Sequence, residues 1–310
     1  MRLGVLDIGS NTVHLLLVDA HPGARPIPFT SHKRPLQLIH FLEDDGSVSP
    51  AGQRKLVEFV GEAADLAKEH GAEDMMAFAT SAIREAANGP AVLRRVFEET
   101  GTPLLELSGP DEAAATFLAV RRWYGWGSGT ILNLDIGGGS FELAMGADEN
   151  PEFALSVPLG AGRLTRDFLD VDPPIAKSVK AARKHIRALL HDPIAEIERM
   201  GTPTLVAGTS KSFRSLARIS GSAPRATGPY VRRELRLHDL VLWATRLSAM
   251  ASADRAELPG VSAVRSHQML AAALVAQEAM EGLRVDSVQI CPWALREGLI
   301  LRRFDYLMAT

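Results

Sequence analysis

The chain has 310 residues, is 46% hydrophobic and 23% charged, and carries a formal net charge of −3. That describes a soluble globular protein of about two domains, with no net field to draw it to nucleic acid or to a membrane surface. One cysteine, Cys291, excludes an internal disulfide and a cysteine-based metal cluster; no apolar run reaches the ~18 residues that span a bilayer, and the absence of a basic-plus-apolar leader points to the cytoplasm.

In chain order, Leu3–Ile8 and Thr12–Asp19 read as an antiparallel pair, apolar on both faces and therefore interior. His21-Pro22-Gly23 is a turn, and a third extended stretch runs through Ile27–Leu42. Ala51–His70 has helical periodicity with Leu56, Phe59, Val60, Ala63 and Ala67 on one face, and Gly71 stops it. Asp74–Ala79 is a short strand running into Thr80-Ser81-Ala82-Ile83-Arg84. Hydroxyls at a strand-to-helix junction suit an anion, with Arg84 one turn on; the reading that this segment alone favours is that Thr80 or Ser81 caps a helix and Arg84 is a solvated charge. Ala91–Thr100 is a helix, Pro103–Leu107 a strand, and Ser108-Gly109-Pro110-Asp111-Glu112 opens a helix to Tyr124. Its two acids either meet the helix dipole or supply a general base for water.

Trp123–Ser128 marks a boundary between halves. Beyond Ile131–Leu143, Phe153–Val157 extends a sheet, Gly160–Phe168 begins a helix with Arg163 and Arg166, and Ile175–Met200 is helical with an interruption near Pro193. Thr204–Ala207 is a strand leading into Gly208-Thr209-Ser210-Lys211, a second anion-friendly junction. Leu237–Met250 and Val264–Met280 are helices, Ser287–Ile290 the last strand, and Ala294–Leu307 the last helix. Alternating strands and helices make the class α/β, each half a mixed sheet flanked by helices. From Lys211 to Arg236 stand seven cations and one acid, Glu234. Such a run is a solvated face or the wall of a cleft that collects a polyanion.

Two stretches stand out. Asp7-Ile8-Gly9-Ser10-Asn11-Thr12 and Asp135-Ile136-Gly137-Gly138-Gly139-Ser140 repeat one device: a strand, an acidic tip, a Gly-rich turn and a returning strand. Successive N–H groups of such a turn form an anion-binding concavity, and an Asp at the strand end can hold hydrated Mg²⁺ or orient a water. Each turn leads back into a strand, so neither is the phosphate loop of nucleoside triphosphatases nor the dinucleotide fingerprint.

Together with Thr80–Arg84, Ser108–Ala113, Glu142 and Leu295-Arg296-Glu297-Gly298, these motifs resemble, in order and spacing, the exopolyphosphatase/guanosine pentaphosphate phosphatase family of the actin, sugar kinase and heat-shock chaperone superfamily. The resemblance implies a duplicated ribonuclease-H-like (actin-like ATPase) fold. Its first lobe would span 1–124, with the helix 295–310 packing back on it, its second 125–294, with the site in the cleft between them. It implies Mg²⁺-dependent hydrolysis of the terminal phosphoanhydride of inorganic polyphosphate, favouring short chains, with K⁺ as a possible monovalent partner. Guanosine pentaphosphate is the alternative substrate, and a non-catalytic sensor of the same fold a third reading. Glu112 would be the base and Arg84 a phosphate clamp. Gly9, Ser10, Asn11, Thr12, Gly137, Gly138, Gly139, Ser140, Gly208, Thr209 and Lys211 would hold phosphates, and Asp7, Asp135 and Glu142 the metal. Three positions depart from the family pattern: Asp111 stands where Glu is usual, Ala114 where Arg is frequent and Ala272 where Gly is frequent. Many members of that family carry further C-terminal helical domains, and the resemblance implies that without them a long-chain channel would be incomplete or built by a homodimer.

Overall fold

The computed structural model describes residues 1–19, 21, 26 and 28–309. They divide into two compact units, Met1–Glu112 with Arg296–Thr310, and Ala113–Leu295.

In the first unit the strands are β1 (Arg2–Ile8), β2 (Thr12–Asp19), β3 (Thr30–Pro35), β4 (Asp74–Ala79) and β5 (Leu104–Glu106), and the helices α1 (Pro50–Glu69), α2 (Ser81–Arg84) and α3 (Gly89–Thr100). The sheet runs β3-β2-β1-β4-β5, with β1 antiparallel to β2 and parallel to β4. Leu6 and Ile8 enter a core with Leu56 and Val60 of α1 and Val92 and Val96 of α3, and period-two alternation leaves Asp7 on the opposite face. The extended stretch expected over Ile27–Leu42 is a strand only at Thr30–Pro35. Gln37 then takes a left-handed conformation (φ 49) into a 3₁₀ turn at Leu38–Phe41, because Leu36–Leu38 bend to bond the β1–β2 turn. Pro22 and Gly23, expected in a turn, lie outside the described residues.

α4 (Gly109–Tyr124) crosses the division. Its Ala113, Phe117 and Val120 pack on Ile131, Ala144 and Ala207, so residues 113–124 group with the second unit. That unit has strands β6 (Ile131–Ile136), β7 (Phe141–Gly146), β8 (Phe153–Val157), β9 (Leu205–Gly208), β10 (Glu234–Arg236) and β11 (Ser287–Ile290). Its helices are α5 (Ala161–Phe168), α6 (Ala176–Met200), α7 (Ser210–Ile219), α8 (Leu237–Ala249), α9 (Ser252–Ala256), α10 (Ala263–Ser266) and α11 (Met269–Gly282); α12 (Leu295–Ala309) follows, with Arg296 onward in the first unit. The sheet order is β10-β11-β9-β6-β7-β8. Read from β8, it repeats the first sheet and adds β10. Leu132, Leu134 and Ile136 face the α6–α11 core while Ile131 faces α4. With both faces covered, β6 reads as a nearly continuous apolar run.

Other elements also differ from expectation. α6 continues through Pro193, because Ala182, Ile186, Leu190, Pro193 and Ile197 keep one buried stripe in phase, which outweighs the ~3 kcal/mol cost of an internal proline. The helix expected at Val264–Met280 is two pieces, α10 and α11. The short elements β10 and α9 had no expected counterpart. Among the described residues no helix is long and apolar enough to cross a membrane.

Candidate functional site

In the first unit the functional groups begin at the end of β1. His14 lies directly across the ladder from Asp7. Arg296, at the start of α12, reaches both: Nη1 is 4.0 Å from Asp7 Oδ2 and donates to His14 Nδ1. The turn closes with Gly9 N–H donating to Thr12 O (3.0 Å). Ser10 and Asn11 are buried. Ser10 O accepts from Leu38 N (2.8 Å), and Asn11 O from Leu36 N and Gln37 N (3.1 Å each).

The two acids opening α4 are separated by their partners. Asp111 is exposed and committed to the cap: Ser108 Oγ donates to Asp111 Oδ2 (2.5 Å) and accepts from Asp111 N–H (3.2 Å). Glu112 turns to Arg84, whose Nη1 donates to Glu112 Oε2 (3.2 Å) and to Leu107 O (2.7 Å). Their side chains are 14% and 16% exposed, so Arg84 is no solvated surface charge. Thr80 occupies the α2 N-cap position without capping; its hydroxyl and amide both donate to Ile8 O (3.3 and 3.2 Å).

The second unit repeats the hairpin with different supports. Asp135 and Glu142 are directly opposed across β6 and β7, so their side chains share one face. Asp135 Oδ2 accepts from Thr209 Oγ1 (2.5 Å), and the buried Glu142 accepts from Ser156 Oγ (2.8 Å). Gly137 N–H closes the turn on Ser140 O (2.9 Å). The carbonyls of Gly137, Gly138 and Gly139 are then all drawn to the start of α5. Gly137 O accepts from Ala161 N (3.0 Å), Gly138 O from Gly162 N (2.8 Å) and Arg163 N (3.0 Å), and Gly139 O from Gly160 N (3.2 Å) and Arg163 Nε (2.9 Å). A trans peptide points its N–H away from its C=O. Three consecutive carbonyls held on one side therefore aim the N–H groups of Gly138, Gly139 and Ser140 to the other, the arrangement that receives an anion. The Arg163 guanidinium is pushed below its ordinary range, first by burial and then by neighbouring Arg166.

Of the remaining expected residues, Gly208 meets a packing need: a Cβ there would lie 2.7 Å from Val288 Cγ1 and 2.9 Å from Phe213 Cγ. Thr209 is buried beside Asp135, and Lys211 Nζ donates to Gly260 O (3.2 Å). The basic run is largely engaged within its own loop. Arg233 donates to the carbonyls of Ala223, Pro224, Gly228 and Val231, Arg218 to Ser222 O, and Arg232 and Arg236 flank Glu234. Sequence reasoning missed Gly160, Arg163 and Arg296 as part of this machinery; the Gly-Ala-Gly before Arg163 and the Leu-Arg-Glu-Gly motif were the available signals.

Among the described residues no three His, Cys, Asp or Glu side chains gather as a metal group. Mg²⁺ needs less, since it binds through one or two carboxylates and keeps waters or substrate oxygens elsewhere. The opposed Asp135 and Glu142 supply such a donor set of hard oxygens, which fits Mg²⁺ and not a soft, thiolate-bound ion.

Residues 17–307 match the model of the Ppx/GppA phosphatase family. Exopolyphosphatase 1 of Mycobacterium tuberculosis is 53% identical over 305 residues, covering 98% of this chain and 89% of that protein. The guanosine-5'-triphosphate,3'-diphosphate pyrophosphatase of Vibrio vulnificus is 24% identical, covering 95% of this chain and 57% of that one. Among solved structures, an exopolyphosphatase from Cytophaga hutchinsonii superposes with a TM-score of 0.88 at 22% identity, covering 99% of this chain and 98% of that one. The fold is thus the duplicated ribonuclease-H-like one, two mixed sheets each flanked by helices.

Proposed function

The chain belongs to the Ppx/GppA phosphatase family, and from that premise we propose that it is an exopolyphosphatase, a hydrolase that removes the terminal phosphate of inorganic polyphosphate. The observation that carries the reading is the 53% identity, over 98% of this chain, with the mycobacterial exopolyphosphatase 1. Water attacks the terminal phosphorus, the bridging P–O bond breaks, and inorganic phosphate and a chain one unit shorter leave. Phosphoryl transfer asks little covalent chemistry of a protein; it asks for positioning and for charge stabilisation.

The residues divide those tasks. Glu112 takes the proton of the attacking water, a role worth roughly 10²–10⁴-fold in rate. Arg84, now bonded to Glu112, offers its guanidinium to a phosphate oxygen and keeps clamp and base in register. The amides of Gly138, Gly139 and Ser140 cradle phosphate oxygens, and the turn at Gly9–Thr12 does the same in the first unit. Asp135 and Glu142 would hold Mg²⁺, which supplies a positive charge for the phosphate oxygens when bound. Asp7, beside Arg296, is the weaker member of the metal set. Cytoplasmic location and a homodimer belong to the same reading.

Phosphate release from triphosphate, long polyphosphate, guanosine pentaphosphate and ATP tests it. The expected result is turnover of polyphosphate with a higher kcat/KM than either nucleotide gives. Preferential release from guanosine pentaphosphate would move the assignment to the other activity of the family, and no release from any substrate would leave a binding protein.

A further inference from the structure

The start of α5 is built against the Gly137–Ser140 turn, and nothing in the catalytic scheme uses it. A helix start leaves its first amides unpaired within the helix. Here those of Gly160, Ala161, Gly162 and Arg163 all donate to carbonyls of the turn. The contact is too close for a side chain at Gly160. A Cβ there would sit 2.2 Å from Gly139 C, 2.4 Å from Gly139 N and 2.4 Å from Ser140 N. Those are backbone atoms of the turn, which cannot swing aside as a flexible side chain can. The backbone of Gly160 itself is unremarkable, with φ −65 and ψ 147. Glycine is therefore needed at 160 for what it touches and not for how it bends.

We propose that Gly160 and Arg163 are positioning residues that set the phosphate turn of the second unit. Gly160 lets the helix start reach the turn, and Arg163 fixes the Gly139 carbonyl through Nε (2.9 Å). Each carbonyl held in this way orients the N–H of the next residue, and donation to the carbonyl polarises that peptide and strengthens its N–H as a donor. Arg163 adds a charge behind the turn without touching the ligand. The inference rests on the reading that this turn receives phosphate.

Amide NMR of the full-length protein, titrated with inorganic phosphate, separates the two ideas. In the wild type the amides of Gly138, Gly139 and Ser140 should shift with phosphate. Gly160→Ala should weaken that binding by about tenfold, the loss expected when one charge-assisted hydrogen bond is misplaced. Arg163→Met should weaken it by roughly threefold, with Arg163→Lys recovering part of the loss, because an ammonium can still donate to Gly139 O. KM for polyphosphate should rise in parallel while kcat falls less. If Gly160→Ala does not fold, the Arg163 pair carries the test. Wild-type phosphate affinity in folded Gly160→Ala, or equal affinity in the two Arg163 variants and the wild type, would overturn the inference and leave the phosphate turn standing. Turn amides that ignore phosphate in the wild type would remove both.

Discussion

In the first unit the Gly-rich turn after Asp7 is fastened by the bend at Leu36–Leu38; in the second the turn after Asp135 is fastened by a helix start, Gly160–Arg163. Both fasteners follow the third strand of their sheet, β3 or β8, so the duplication extends from the hairpins to what holds them. The acids differ more. Asp7 has a guanidinium 4.0 Å away, and Glu112 accepts from a second one. Asp135 and Glu142 accept from the hydroxyls of Thr209 and Ser156. A hydroxyl donor orients a carboxylate and leaves its charge in place, whereas an arginine partner answers that charge. Arginines thus stand beside Asp7 and Glu112 in the first unit, and hydroxyls beside Asp135 and Glu142 in the second. Under the proposed function, Glu112 in the first unit takes the proton, and Asp135 with Glu142 in the second would hold the cation.

The largest effect that sharpens this division belongs to Glu112. Glu112→Gln keeps shape and a hydrogen bond to Arg84 but cannot accept the proton of water. Turnover should fall at least ~10²-fold with KM nearly unchanged and the circular dichroism melt intact. Asp111→Asn should cost far less, because Asp111 is exposed and bonded to Ser108. A Glu112→Gln variant within tenfold of wild-type kcat would take the base out of the first unit.

How much of this could be read from the sequence depends on distance along the chain. The two hairpins, the acids at the α4 start and Arg84 are local patterns, and they stood out as such. The resemblance named Glu112 as the base, but the partners of the two acids were not local: Ser108 captures Asp111, and Arg84, 28 residues before Glu112, pairs with the other. Gly160 was read only as a helix start because its requirement lies in the backbone at 139 and 140 and its own φ is ordinary. Arg296 meets His14 across 282 positions, which no periodicity can reveal. The fold itself was legible because buried strands and amphipathic helices write their periods into consecutive residues. Among the exceptions were three-residue β10, five-residue α9, the short strand at Thr30–Pro35, the break between α10 and α11, and Pro193, where packing overrode propensity.

A second test sets the aspartates against each other. Asp135→Asn should raise the Mg²⁺ concentration giving half-maximal activity by at least about tenfold, since a neutral amide is a poorer partner for a hard cation. Asp7→Asn should move that midpoint by less than about threefold, because it removes an acid whose neighbour is already Arg296. The measurement is a Mg²⁺ activation curve at fixed polyphosphate for both variants. Equal midpoint shifts would mean that the two copies share the cation and would break the contrast between arginine-held and hydroxyl-held acids.

The smallest effect compares the first glycine of each turn. A methyl group at Gly137 would lie 3.2 Å from Ser140 O, tight enough that the turn must give, whereas one at Gly9 would lie 3.5 Å from Thr12 O, an ordinary contact. Gly137 also sits in the turn whose three carbonyls are fixed by α5, so it has less freedom to adjust. Gly137→Ala should therefore raise KM by about threefold, close to 0.7 kcal/mol. Gly9→Ala should stay within about twofold, the reach of a change of ~0.5 kcal/mol. Melting temperatures of both variants, taken alongside, separate a local shift of the turn from general loss of stability. The informative reversal is Gly9→Ala costing more than Gly137→Ala. That would place the more tightly constrained phosphate contact in the first unit, despite its looser fastening by Leu36–Leu38.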